Sequence, residues 1–137
     1  MGSACNNTLE PLFLLQKKSV RLVNNSNFLD HTAPILKSLK ILTLSQIFNN
    51  NCLIFIYKCI KENKFPSIIE RILRKSDIHQ HNTRNNDQYR LPTGRLRIFR
   101  KAYFVQGLTL WISIDIDIKN CNNIGNFKMK IKNKCFD

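Results

Sequence analysis

The run CLIFIYKCI (Cys52 to Ile60) constrains the fold most, because Lys58 alone interrupts its apolar side chains. It is roughly half the ~20 residues needed to cross a bilayer, so it reads as a helix buried by other parts of the chain. Thr43 marks the start of the longer segment LSQIFNNNCLIFIYKCIKEN, in which Leu44, Ile47, Phe48, Ile54, Tyr57 and Ile60 suit a helix buried on much of its girth. Asn63 is placed to terminate that helix in the left-handed conformation, and Phe65-Pro66 prevents its continuation.

Such a helix needs neighbours, and the chain supplies several. In EPLFLLQKKSVRLV (Glu10 to Val23), Leu12, Leu15, Leu22 and Val23 fall on one side, and Gln16, Lys17, Lys18 and Arg21 on the other. This predicts an amphipathic helix with Pro11 in its first turn, stopped by the Asn-rich stretch that follows. HTAPILKSL predicts a short second helix capped by Thr32, with Pro34 tolerated in the first turn. PSIIERILRK predicts another short helix after Pro66. In NIGNFKMKIKNKCF, Ile124, Phe127, Ile131 and Cys135 share a narrow arc flanked by lysines, which favours helix over strand.

Between these lies SDIHQHNTRNNDQ, which has loop composition and neither helical nor strand period. RLRIF and AYFV further on are β-prone and predict a short hairpin or an extended arm. The expected fold is therefore mainly α: a helical N-terminal two-thirds with a polar loop, a short β hairpin or extended arm, and a C-terminal basic helix. The parts divide as residues 1–75, 76–90 and 91–137, within one domain at most for a chain of 137 residues.

Charge is the unusual feature of the composition: 22 Lys+Arg against 9 Asp+Glu gives a net charge of +13. A field of that sign draws in polyanions, nucleic acid or an acidic membrane surface, although a lysine-rich solvated surface explains the same count. The segment YRLPTGRLRIFRKAYFVQGLTLW sharpens the choice, since Arg90, Arg95, Arg97, Arg100 and Lys101 alternate with Tyr89, Phe99, Tyr103, Phe104 and Trp111. Planar rings stack on bases and guanidinium forks meet phosphate oxygens, as on a nucleic-acid surface; a core strand with a charged outer face has the same composition. The polar start MGSACNNTLE has no apolar secretory segment, so a cytoplasmic or nuclear protein, not a secreted one, is expected. Asn6 stands where a myristoylation motif wants Ser or Thr.

Residues that look chemical do not assemble into a recognisable centre. His79 and His81 form at best one ligand pair, and Cys52 and Cys59, seven apart on one helix face, would have to complete a zinc site. The same two cysteines lie in an apolar helix, the wrong surroundings for a nucleophile. Asp115 and Asp117 are the only close acidic pair in WISIDIDIKN, with neither a third carboxylate nor a Gly-rich phosphate cradle. No catalytic residue and no metal site is assigned.

In order and spacing, four pieces resemble the C-terminal segment of the reverse transcriptase of LINE-type, or jockey-like, non-LTR retrotransposons. They are GSACNNTLEPLFLLQKKSVRLV; HTAPILKSLKILTLSQIF with CLIFIYKCIKENKFP; HQHNTR; and AYFVQGLTLW with the basic tail, which together cover nearly the whole chain. The resemblance implies a post-palm, thumb-like segment near template and primer, with the family's catalytic carboxylates and their magnesium in a palm domain missing from this chain. It also implies that His81, Asn82 and Thr83 belong to a turn motif beside Arg84, and that Gly107 and Trp111 are pattern residues. Thr109 and the Ile114-Asp115 region depart from the family pattern, which runs on to a proline absent here, and Asp115 and Asp117 do not replace the palm pair. Met1 falls where the family tends to have a mid-protein tryptophan, implying a reading frame that opens inside a larger ancestral one.

The expected function is thus non-catalytic, nonspecific binding of RNA or an RNA–DNA hybrid, with Lys17, Lys18, Arg21, Arg84, Arg90, Arg95, Arg97, Arg100 and Lys101 as candidate phosphate contacts. The missing palm domain is the expected protein partner; no membrane, small-molecule substrate or resident cofactor is expected. The alternative is a structural or interaction remnant with no autonomous function, whose apolar run Cys52 to Ile60 is left uncovered.

Overall fold

The computed structural model describes residues 6–65, 89, 91 and 102–136, and among these the architecture is mainly α. Helix α1 (Asn6–Val23) starts before Glu10, so Pro11 lies inside it instead of in its first turn. The ring there removes one intrahelical N–H, early enough for the helix to persist. The Asn-rich stop forms as expected. Asn25 takes a φ of 49°, Ser26 N donates to Arg21 O at 3.0 Å and Asn25 N to Leu22 O at 3.2 Å. These two bonds satisfy carbonyls that the last turn would otherwise leave open.

Helix α2 (Thr32–Ser38) corrects the expected cap: Thr32 is its first helical residue, and the capping position belongs to His31, whose side chain makes no cap bond. Thr32 is buried instead. The helix ends as α1 does, with Lys40 at φ 52° and Ile41 N donating to Leu36 O at 2.9 Å. Between α1 and α2 the core is small, made by Val20, Ile35 and Leu36.

Helix α3 (Leu44–Lys61) begins at Thr43, as expected. Gln46 N donates to Thr43 Oγ1 at 3.2 Å and Thr43 N donates to Gln46 Oε1 at 2.8 Å, a reciprocal pair that satisfies two orphan donors. Asn63, at φ 52°, lies in the left-handed region just past its end.

The stretch AYFV, expected in a short hairpin or extended arm, instead opens a helix: Tyr103–Ser113 form α4. Its β-prone residues also carry a helical period, since Val105, Leu108 and Trp111 recur every three positions and all are buried. The β-prone stretch RLRIF lies outside the described residues. A single turn, α5 (Ile116–Lys119), leads to α6 (Ile124–Asn133), where Phe127 and Ile131 are buried on the arc expected for the basic C-terminal helix.

The main core joins α3 to the three C-terminal helices. Leu53, Ile56, Tyr57 and Cys59 of α3 meet Leu108 and Trp111 of α4, Ile118 of α5, and Phe127 and Ile131 of α6. Tyr57 stacks on Phe127 at 4.5 Å between ring centroids, and its hydroxyl donates to the buried carbonyl of Cys121 at 3.0 Å. The run Cys52 to Ile60 is therefore covered, which removes the ground on which it was expected to lie open. Uncovered apolar surface lies on α1, where Leu12, Leu15, Leu22 and Val23, expected to face a core, are all at least half exposed.

Candidate nucleic-acid interface

Phosphate binding needs cations that reach solvent without a carboxylate to neutralise them. On α1, Lys17 and Lys18 are both exposed. Arg21 is half-buried and partly engaged. Its Nε donates to Asp30 O at 3.0 Å and its guanidinium lies 5.6 Å from the Phe28 ring centroid. These contacts fix the side chain in place while leaving its terminal nitrogens to the surface. Arg84, Arg90, Arg95, Arg97, Arg100 and Lys101 lie outside the described residues, as do His81, Asn82 and Thr83. Tyr89 is partly buried against the main core.

Gly107 and Trp111 are placed by packing. A Cβ on Gly107 would stand 2.8 Å from Ile56 Cγ1 and 2.9 Å from Cys52 O, so the position permits the close crossing of α4 over α3. Trp111 is almost wholly buried among Tyr57 and Phe127. Neither residue is presented at the surface.

A second set of cations, outside the sequence-based candidates, sits on α6. Its helical spacing puts Lys128 and Lys132 on one flank of the buried arc and Lys130 and Lys134 on the other. The second flank is tied to α5. Lys134 Nζ pairs with Asp115 Oδ2 at 2.5 Å and Lys130 Nζ donates to Asp117 O at 3.1 Å. The bond from Lys134 holds the Asp115 carboxyl below its usual range. Lys128 and Lys132 stay exposed. The signal for this row was the four-residue spacing of lysines beside Phe127 and Ile131, readable once the segment is taken as helix.

Lys119 serves the fold. Its Nζ donates to Ile112 O at 3.1 Å, near the C-terminus of α4, and partial burial lowers its pKa. α4 has no cation of its own in its last turn, so Lys119 supplies the charge that end favours.

An open groove of about 440 Å³ runs between α1, α2 and the start of α3, with Lys17 and Lys37 at its edge and Phe136 closing one side. Cys52 and Cys59 lie in poor surroundings for a nucleophile: they have no exposed surface, and burial raises the Cys52 thiol to about 11 and the Cys59 thiol in the same direction. Among the described residues no three of His, Cys, Asp and Glu are grouped to hold a metal, and no helix is long and apolar enough to cross a membrane. No family model, curated protein or solved structure matches the chain.

Proposed function

We propose that this chain is a non-catalytic C-terminal segment of a retrotransposon RNA-directed DNA polymerase and contributes nonspecific binding to RNA or an RNA–DNA hybrid. The supporting observation is the pair of exposed cation rows, Lys17 with Lys18 on α1 and Lys128 with Lys132 on α6, in a chain of net charge +13. Cations held on helices and free of carboxylates meet phosphates without first breaking an ion pair. Arg84 and the arginines from Arg90 to Arg100 extend this set, and Arg21 adds a guanidinium already oriented by Asp30 and Phe28. Under this reading the catalytic carboxylates and their magnesium belong to a palm domain elsewhere, which is also the protein partner.

Titration of the chain with a labelled RNA–DNA hybrid at several salt concentrations tests the proposal. With about five phosphate contacts, log affinity falls against log salt with a slope of about −4 to −5. A slope near zero overturns the reading. Replacing Lys128 and Lys132 together by Gln lowers the magnitude of that slope by about two if both reach phosphates.

A further inference from the structure

Four apolar side chains protrude where α1 turns into α2. Leu22 is 78% exposed, Val23 70%, Phe28 72% and Leu29 88%, so each stands proud of the surface. The backbone beneath them is fixed by hydrogen bonds. Ser26 N donates to Arg21 O at 3.0 Å, Asn27 N to Asp30 Oδ2 at 2.8 Å, and Arg21 Nε to Asp30 O at 3.0 Å. An ordered frame thus presents these side chains outward. Beside them is a notch of about 280 Å³ lined by Lys18, Arg21, Leu22, Ser26 and Phe28. It combines two cations with two apolar walls, and Asp30, the only acid between Lys17 and His31, already accepts from Asn27 N.

We propose that this corner docks peripherally on an anionic phospholipid surface, with a headgroup phosphate against Lys18 and Arg21 and with Leu22, Val23, Phe28 and Leu29 at the boundary between headgroups and acyl chains. The chemistry selects this occupant over two others. A nucleic acid would satisfy the cations but give four protruding apolar side chains little burial. A second copy would bury them but bring together two chains of net charge +13. An anionic bilayer surface meets both requirements, because apolar insertion and attraction to acidic headgroups act together there. The attachment is interfacial; it shares Lys18 and Arg21 with the nucleic-acid reading, whereas Leu22, Val23 and Leu29 belong to it alone.

Co-sedimentation of the full chain with vesicles of phosphatidylcholine alone, and of phosphatidylcholine mixed with phosphatidylserine, tests the proposal. The expected result is binding to the mixed vesicles and none to the neutral ones. Val23→Ser with Leu29→Ser lowers that binding about a hundredfold, since each buried apolar side chain contributes at least about tenfold. Both positions are exposed, so the thermal melt and the affinity for a homopolymeric RNA stay as in the parent chain. Lys18→Gln weakens vesicle binding without changing the melt. The proposal is overturned if the parent chain ignores the mixed vesicles, or if the double variant binds them as well as the parent. It is equally overturned if the variant loses RNA affinity in parallel, or if the parent forms a dimer that the variant abolishes.

Discussion

Gly107 is the residue on which the packing of the main core turns. Alanine there gains about 1 kcal/mol of helix propensity, yet its methyl would meet the side chain of Ile56 and the backbone carbonyl of Cys52, both inside van der Waals distance. A backbone oxygen in the middle of α3 cannot yield as the end of a flexible side chain can. Gly107→Ala is therefore expected to destabilise the chain by about 1–3 kcal/mol, read from chemical denaturation. A neutral result would mean that α3 and α4 separate easily. Burial also sets a pH limit at this scale. Cys52 is raised from 9.0 to about 11, and Cys59 and Tyr57 are raised too, each mainly by desolvation. A raised acid keeps its proton in the native state while the unfolded chain releases it. The stability from these groups is complete below pH 9 and falls as the pH rises toward 11. The denaturation midpoint should drop between pH 8.5 and pH 10.5, and Cys52→Ala should make that drop shallower.

Elements differ in how much of their geometry is local. α3 carries its own start signal, and Thr43→Ala removes the oxygen that accepts from Gln46 N, at a cost of about 1 kcal/mol in the same denaturation measurement. An unchanged midpoint would show that water replaces the hydroxyl without loss. The endings of α1 at Asn25 and of α3 at Asn63 are equally local, because Asn tolerates the left-handed conformation that each stop requires. Lys40 adopts that conformation at the end of α2 with nothing in its side chain to favour it, so only the fold requires it. α4 shows where local reading fails. Tyr103, Phe104 and Val105 favour strand, and the helical period of Val105, Leu108 and Trp111 prevails because α3 offers a surface for that face.

At the scale of the molecule, the two apolar clusters are unequal. The α1–α2 hairpin has three buried apolar residues, whereas the other cluster draws on α3 to α6. Gln16 ties the hairpin to the start of α3: its Nε2 donates to Leu42 O at 2.9 Å, and its Oε1 accepts from Leu44 N at 3.2 Å. Gln16→Ala should raise amide exchange in α1 and α2 about tenfold while α3 and α4 keep their protection, since loss of both bonds costs about 1–2 kcal/mol of local stability. Uniform acceleration in all four helices would instead mean that they open as one unit. At the same end of α3, Gln46 Nε2 donates to Cys135 O at 3.1 Å, which anchors the residues after α6 to the start of α3.

The sequence by itself determined the helical class, the capped start of α3, the asparagine stops of α1 and α3 and the buried arc of α6, because each depends on periodicity or on chemistry within a few residues. It also determined the net positive charge and two of its exposed carriers, Lys17 and Lys18. The tertiary structure alone decided which apolar face is covered. On α1, Val20 meets α2 while the stripe of Leu12, Leu15, Leu22 and Val23 faces outward, and no period within the helix distinguishes a stripe with a partner from one without. It also decided that Gly107 and Trp111 are packing residues and that Lys130 and Lys134 bond to α5, leaving Lys128 and Lys132 exposed. Those outcomes depend on contacts between residues far apart in the chain, and an amphipathic pattern specifies that a face must be buried without specifying by what.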